Sequence, residues 1–238
     1  PPATVRLVEP DGRLKDIRYW EPDFTRSEED ARRPMAEWRD MVLDGLRQAV
    51  RRRMVADVPV GVLLSGGVDS SLIVGLLAEE GQQHLSTYSI GFEAANGEKG
   101  DEFIYSDIIA NKYGTDHHKI MIPSDEMRNN LPNAISSMAE PMVSYDNIGF
   151  YLLSREVTKS IKVVQSGQGA DEVFAGYHWY PPLAETNDPV ETYAGTVFDR
   201  THKELATQIN PDYLPERDES LALLQAHFAQ PGADDPVD

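Results

Sequence analysis

Val60-Gly61-Val62-Leu63-Leu64-Ser65-Gly66-Gly67-Val68-Asp69-Ser70-Ser71-Leu72-Ile73-Val74-Gly75-Leu76-Leu77 decides how this chain is read. An apolar run at residues 60–64 and an apolar-periodic run at residues 72–77 enclose two glycines, three serines and an aspartate. That order is buried strand, tight loop, helix start. Gly66 and Gly67 let the backbone turn sharply and approach a ligand with no Cβ in the way. The hydroxyls of Ser65, Ser70 and Ser71 and the N–H groups at the helix start make a rim suited to an anion, phosphate being the usual one. Asp69 inside that rim narrows the reading. A carboxylate beside a phosphate is repulsive unless a divalent cation lies between them, and Mg²⁺ bridges the two in this way. A bare Gly-Gly pair would fit any strand–helix turn; strand, hydroxyls, aspartate and helix together point to an anion loop.

Outward from that loop, helical and extended patterns alternate. Met35, Trp38, Met41, Val42, Leu46, Ala49 and Val50 recur at helical spacing and predict an amphipathic helix up to about Arg53. Strands are predicted at residues 60–64, 85–92, 117–122 and 161–165, with helices from Ser70, over 101–113, from Ser124 and over 148–159. Residues 93–100 read as a polar, mobile loop. The fold class is α/β, a parallel twisted sheet with helices on both faces. Residues 1–34 read as a linker or incoming segment with one short alternating stretch at 4–8, and residues 35–182 as the domain. Residues 183–238 read as a partly irregular acidic tail and the start of a truncated C-terminal helical region, with a helix-like stretch at 221–228.

Composition excludes several classes. Cysteine is absent, so disulfides, thiolate metal sites and a cysteine nucleophile are excluded within these 238 residues. A net charge of −18 repels polyanions and argues against a nucleic-acid partner. Arg51-Arg52-Arg53 is the one basic cluster, and its place at a helix end reads as a solvated cap. No apolar run approaches a membrane span and no signal-peptide pattern opens the chain, so the expectation is a cytoplasmic protein without a membrane partner.

Parallel sheets place ligands beyond the carboxyl ends of their strands, and the remaining motifs lie there. The fourth predicted strand leads into Ser166-Gly167-Gln168-Gly169-Ala170-Asp171-Glu172. Glu172 occupies the place of a dinucleotide fingerprint's third glycine, which weakens that reading; Asp171 and Glu172 also suit a helix start through capping. Gly91, in Ser89-Ile90-Gly91-Phe92, either lets backbone approach a flat ring such as adenine or marks a strand end. Glu140-Pro141 and Tyr145-Asp146-Asn147 form an acidic loop that matters if it faces the anion loop. His117 and His118, adjacent on a strand, point to opposite faces and are not read as a metal pair.

Together these motifs resemble a known set. The loop at residues 64–71 is similar to the pyrophosphate loop of the ATP-pyrophosphatase superfamily, whose members have the adenine nucleotide alpha hydrolase-like fold. Asp57-Val58-Pro59-Val60-Gly61, Ser89-Ile90-Gly91-Phe92 and the stretch at 166–177 resemble the synthetase domain of the glutamine-hydrolysing asparagine synthetase family. Glu140-Pro141-Met142-Val143-Ser144-Tyr145-Asp146-Asn147 and Ser166-Gly167-Gln168-Gly169 look most like its N-acetylglutaminylglutamine amidotransferase branch. The resemblance covers about residues 40–182. It implies an ATP- and Mg²⁺-dependent ligase in which an acceptor carboxylate attacks the α-phosphate, pyrophosphate leaves, and ammonia displaces AMP from the acyl-adenylate to form an amide. By the resemblance, Ser65, Gly66, Gly67, Asp69 and Ser70 hold pyrophosphate, with Asp69 a Mg²⁺ ligand. Leu64, Ile90 and Gly91 contact adenosine, Glu140 is the catalytic glutamate, Gly167 lies at the nucleotide and substrate site, and Asp171 orients its neighbours.

The chain departs from the pattern in places. Gln168 stands where most members have Glu, and Ser144 where the second Mg²⁺-binding Asp falls, so Asp146 takes that role. The family's glutaminase domain, which releases ammonia from glutamine, and a helical segment with a catalytic lysine find no match between Pro1 and Asp238. The expectation is a piece of a longer enzyme that binds MgATP weakly, with little or no turnover. Aspartate, a glutamine-containing dipeptide and a β-amino acid derivative all stay open as acceptors, as does the oligomeric state. Two alternatives remain: another AMP-forming ATP pyrophosphatase such as an NAD synthetase, distinguished by the acceptor that stimulates pyrophosphate release, and an ATP-binding module without turnover.

Overall fold

A computed structural model describes residues 2–23, 27–93, 103–140, 142 and 146–230. They fall into two compact units, Met35–Gly176 and a second formed by Pro1–Pro34 with Tyr177–Asp238. The chain opens with an antiparallel hairpin, β1 (Thr4–Val8) and β2 (Leu14–Arg18), in which Val5 faces Ile17. Gly12, at φ +83°, takes the turn. Arg6 grips Asp16 across the strands with two hydrogen bonds of 2.7 Å. The short helix α1 (Glu28–Arg32) follows, begun by a capping box between Ser27 and Asp30. The alternation at residues 4–8 thus does pair; its partner strand Leu-Lys-Asp-Ile-Arg is too charged to announce itself.

Helix α2 (Met35–Arg53) begins the Met35–Gly176 unit, followed by β3 (Val60–Leu63), α3 (Val68–Glu79), β4 (Ser86–Phe92), α4 (Phe103–Tyr113) and β5 (Asp116–Ile122). Helices α5 (Ser124–Ser137) and α6 (Asp146–Val157), β6 (Val163–Gln165) and α7 (Ala170–Phe174) complete it. The four strands are parallel in the order β5-β4-β3-β6. On one face Val62 and Leu64 pack with Val50 of α2, Val74 and Leu77 of α3 and Ala110 of α4. On the other, Tyr88 packs with Leu153 and Val157 of α6, and Ile122 with Ala134 of α5 and Leu152 of α6. Covering both faces is what lets β3 be apolar along its whole length.

The α2 pattern needs one correction. Leu43, Leu46 and Val50 meet the core, whereas Met35, Trp38, Met41 and Val42 are exposed. Arg51 donates to Glu80 at 2.8 and 2.7 Å and Arg47 to Glu79 at 3.3 Å, which aligns the last turns of α2 and α3. Nineteen residues of α2 span about 28 Å and twelve of α3 about 18 Å, so the first turns of α2 overshoot their neighbour. Arg51 is accordingly an inter-helix tie and not merely a solvated cap. The loop read at 93–100 and the expected helix start at 101 lie, from residue 94 to 102, outside the described residues.

Buried Gln165 closes the other end of α2. The Met54 amide bonds the Arg51 carbonyl in a tightened last turn, and the Val50 carbonyl is taken by Gln165 Nε2 at 3.2 Å. Gln165→Leu leaves that carbonyl desolvated and unpaired, and should lower unfolding free energy by about 1–3 kcal/mol. Urea denaturation with an unchanged slope would register the loss.

Beyond Gly176 come α8 (Tyr180–Leu183), α9 (Pro189–Val197), α10 (His202–Leu205), a 3₁₀ turn at Pro211–Tyr213 and α11 (Glu219–Phe228). Acidic and hydroxyl residues start α9, α10 and α11: Asp188 accepts from the Glu191 amide, Thr201 pairs reciprocally with Glu204, and Asp218 accepts from the Leu221 amide. The helix-like stretch at 221–228 is α11, while several acidic residues of the expected acidic tail are caps and the four-residue helices α8 and α10 are too short to show a period. No helix among the described residues is long and apolar enough to cross a membrane.

Candidate functional site

Strands β4 and β5 extend the sheet to one side of β3 and β6 lies on the other, so the chain changes direction between β3 and β6. The crevice beyond the carboxyl ends of two such strands is where open α/β sheets bind ligands. Both glycine loops leave the sheet there.

The first loop starts from a fixed anchor. Leu64 is 1% exposed, its side chain in the core, its N–H donating to the Tyr88 carbonyl at 2.8 Å and its carbonyl accepting from Ser89 Oγ. Gly66 then turns the chain at φ +90°; a Cβ there would lie 2.5 Å from Tyr105 Cβ and 2.6 Å from the Ser106 amide nitrogen. Gly67 is the N-cap of α3 and brings no side chain to its first turn, whose amides face outward with the positive end of the helix dipole. Ser65 Oγ and Ser70 Oγ meet at 3.0 Å, and the Gly67 amide donates to Ser65 Oγ at 3.3 Å.

The second loop packs against that first turn. A Cβ at Gly167 would lie 2.9 Å from the Ser70 amide nitrogen and 3.0 Å from Asp69 Cβ. Ser166 Oγ accepts from the Gln168 amide at 3.2 Å, and Gly169, at φ +91°, begins α7. A third element borders the crevice. The last β3–β4 pair is Leu63 with Tyr88, so β4 runs on past β3 through Ile90, Gly91 and Phe92.

Ser65, Gly66, Gly67, Asp69, Ser70 and Gly167 are thus brought together, with Ile90 and Gly91 on the neighbouring strand end. Leu64 can offer this space only backbone. Glu140 is exposed on the connection between α5 and α6, of which residues 141 and 143–145 lie outside the described residues. Asp146 is the first residue of α6. That helix descends from the carboxyl edge: a Cβ at Gly149 would lie 3.5 Å from the Phe92 ring, while Val157 packs with Tyr88 and Ile161 lower in the sheet. Asp146 therefore shares the edge with the glycine loops. The Asp171 carboxylate turns back onto Gly176 at the far end of α7.

His117 was not among the candidates. Its Nδ1 is 2.9 Å from Thr87 Oγ1, its Nε2 3.2 Å from Ser106 Oγ and 3.5 Å from Ser89 Oγ, beneath the first loop. Burial holds its imidazole below the ordinary value, against the Asp107 carboxylate 3.9 Å away and helped by Lys119 and His118. His118 faces the other way, stacked on Tyr88 and bonded to Asp116, as strand alternation requires. The available signal was polarity at alternate β4 positions, Thr87 and Ser89, with Thr87 opposite His117 in the pairing.

The donor set fits a Mg²⁺–phosphate ligand. Hydroxyls and helix amides suit phosphate oxygens, the missing Cβ atoms at residues 66, 67 and 167 leave room for close approach, and Asp69 supplies a hard carboxylate. Among the described residues no three His, Cys, Asp or Glu side chains gather into a cation cage. A nucleotide's Mg²⁺ needs only one or two protein carboxylates beside the phosphates and water.

The asparagine synthase family model matches residues 41–235, reaching well past the 40–182 stretch on which the motifs lie. Asparagine synthetase [glutamine-hydrolyzing] 1 of Bacillus subtilis is 32% identical over 179 residues, covering 75% of this chain and 27% of that one. The putative asparagine synthetase [glutamine-hydrolyzing] 2 of Methanocaldococcus jannaschii is 37% identical over 169 residues, 69% of this chain and 30% of that one. The chain therefore spans less than a third of the length of these relatives. Among solved structures, the NH3-dependent NAD synthetase of Campylobacter jejuni is similar with a TM-score of 0.41 at 18% identity, over 79% of this chain and 92% of that one.

Proposed function

This chain belongs to the asparagine synthase family, and from that premise we propose that its Met35–Gly176 unit is the ATP site of an ATP-dependent amide synthetase. The observation carrying the proposal is the meeting of two glycine loops on the first turn of α3, with Asp69 between them. Ser65, Ser70 and the amides from Gly67 onward hold the β- and γ-phosphates, the groups that leave as pyrophosphate. Gly167 keeps the second loop close enough to wall in the α-phosphate. Adenosine lies along the backbone of Leu64 and the overhanging Ile90 and Gly91. Mg²⁺ screens the phosphate charge that Asp69 would otherwise repel, and Asp146 offers a second carboxylate from the start of α6.

The acceptor's carboxylate attacks the α-phosphorus, pyrophosphate departs, and ammonia displaces AMP from the resulting acyl-adenylate, leaving an amide. The role of receiving a proton from the attacking ammonia is assigned to Glu140 on the family resemblance alone, and Asp171, whose carboxylate turns back onto Gly176, is assigned an orienting role at α7. Ammonia comes from glutamine through a glutaminase domain, in keeping with the names of the relatives, and the reaction is cytoplasmic.

Calorimetric titration of ATP into the chain, with and without Mg²⁺, tests the site. Wild type should bind ATP in a Mg²⁺-dependent manner. Asp69→Ala, folded by circular dichroism, should lose the Mg²⁺ dependence and bind at least about tenfold more weakly, the loss of one modest charge interaction. A folded wild type that ignores ATP at every Mg²⁺ concentration, or a mutant that binds as wild type does, sinks the proposal.

A further inference from the structure

Behind the first glycine loop lies a sealed polar network that the proposed chemistry does not use. Thr87 and Ser106 are fully buried, Ser89 is 4% exposed, and His117 joins all three. Two of these hydroxyls have their protons committed: Ser89 donates to the Leu64 carbonyl, and Ser106 to the Phe103 carbonyl at 3.2 Å. Both oxygens are then free to accept, and Nε2 lies within reach of each, which matches a hydrogen on Nε2. Nδ1 is left as the acceptor for Thr87, whose oxygen in turn takes the Thr115 hydroxyl proton at 2.9 Å. One tautomer satisfies every group at once, as buried polar networks require.

Both serines reach the loop. Ser89 pins the carbonyl of the residue that precedes Ser65, and the Ser106 backbone abuts Gly66. We infer that His117, as the neutral Nε2–H tautomer, is a positioning residue for the nucleotide loop: it locks Ser89 against the β3 end and Ser106 against the turn at Gly66. The consequence for ATP rests on the reading of the site proposed above; the consequence for the loop does not.

Three measurements decide this on the folded chain. Long-range ¹H–¹⁵N NMR of the wild type should show Nε2 protonated and Nδ1 bare near neutral pH. Hydrogen–deuterium exchange in residues 64–71 should accelerate about tenfold in His117→Phe, which keeps a planar aromatic ring and removes its donor, the loss expected of one buried hydrogen bond. His117→Gln, whose amide N–H can reach the Nε2 position, should restore much of the protection, and ATP affinity should follow the same order. An Nδ1–H tautomer, or loop exchange in His117→Phe equal to wild type, overturns the inference. Wild type that shows the tautomer and the exchange effect but binds no ATP would instead overturn the nucleotide reading and leave the positioning role standing.

Discussion

Gly66→Ala should lower the unfolding free energy by about 2–5 kcal/mol and abolish nucleotide binding. Two penalties add. An L-residue at φ +90° is outside its comfortable left-handed well, a strain of about 1–2 kcal/mol. The new methyl would also stand 2.5 Å from Tyr105 Cβ and 2.6 Å from the Ser106 nitrogen, atoms of a packed helix that cannot swing aside; overpacking of this kind costs about 1–3 kcal/mol. Against a domain stability of about 5–15 kcal/mol, the protein stays folded at low temperature, so binding can still be measured. Gly169→Ala separates the two penalties. Gly169 has nearly the same φ, +91°, but nothing lies within 4 Å of its Cβ position. It should show the backbone penalty alone in parallel denaturant titrations. Equal losses in the two variants would mean that α4 does not brace the loop.

Gly167→Ala should leave the fold largely intact and weaken ATP binding by about ten- to a hundredfold, because it acts on the fit between two loops. Its Cβ would meet the Ser70 nitrogen at 2.9 Å and Asp69 Cβ at 3.0 Å. Residue 167 has no left-handed φ, so the backbone is content with alanine and the whole effect is displacement. The second loop must move off the first turn of α3, or push Asp69 and Ser70 with it. Thermal unfolding should shift by only a few degrees. ATP affinity at wild-type level would mean that the two loops do not form one site, and would remove the observation on which the proposed function rests.

The legibility of the fold follows the range of the interactions behind each element. Val60-Gly61-Val62-Leu63 announces a buried parallel strand because both of its faces are covered, and such a strand is apolar throughout. Its glycine loop was equally readable, since a sharp turn into a helix demands those residue types locally. The Leu43-Leu46-Val50 stripe was harder to separate from Met35, Trp38 and Met41, because periodicity marks a face and carries no information on how far the neighbouring helix extends. Of the helices after Gly176, α11 showed itself as the apolar stretch at 221–228, whereas α8 and α10, of four residues each, are shorter than the window in which a period shows.

Residues adjacent in the chain were enough to read the α/β alternation, the strand–glycine–helix loop with its aspartate, and the resemblance to the asparagine synthase family. The tertiary structure decided what adjacency cannot. It brought Gly167, about a hundred residues along the chain, to the Ser70 amide, because β6 pairs beside β3 and not at the edge where β5 lies. It turned His117 from one half of an apparent histidine pair into the link between Thr87, Ser89 and Ser106, because strand register sets which residues face one another across the sheet. Local chemistry is written in single stretches of chain, whereas a site assembled at a strand crossover exists only once the order of the strands is fixed.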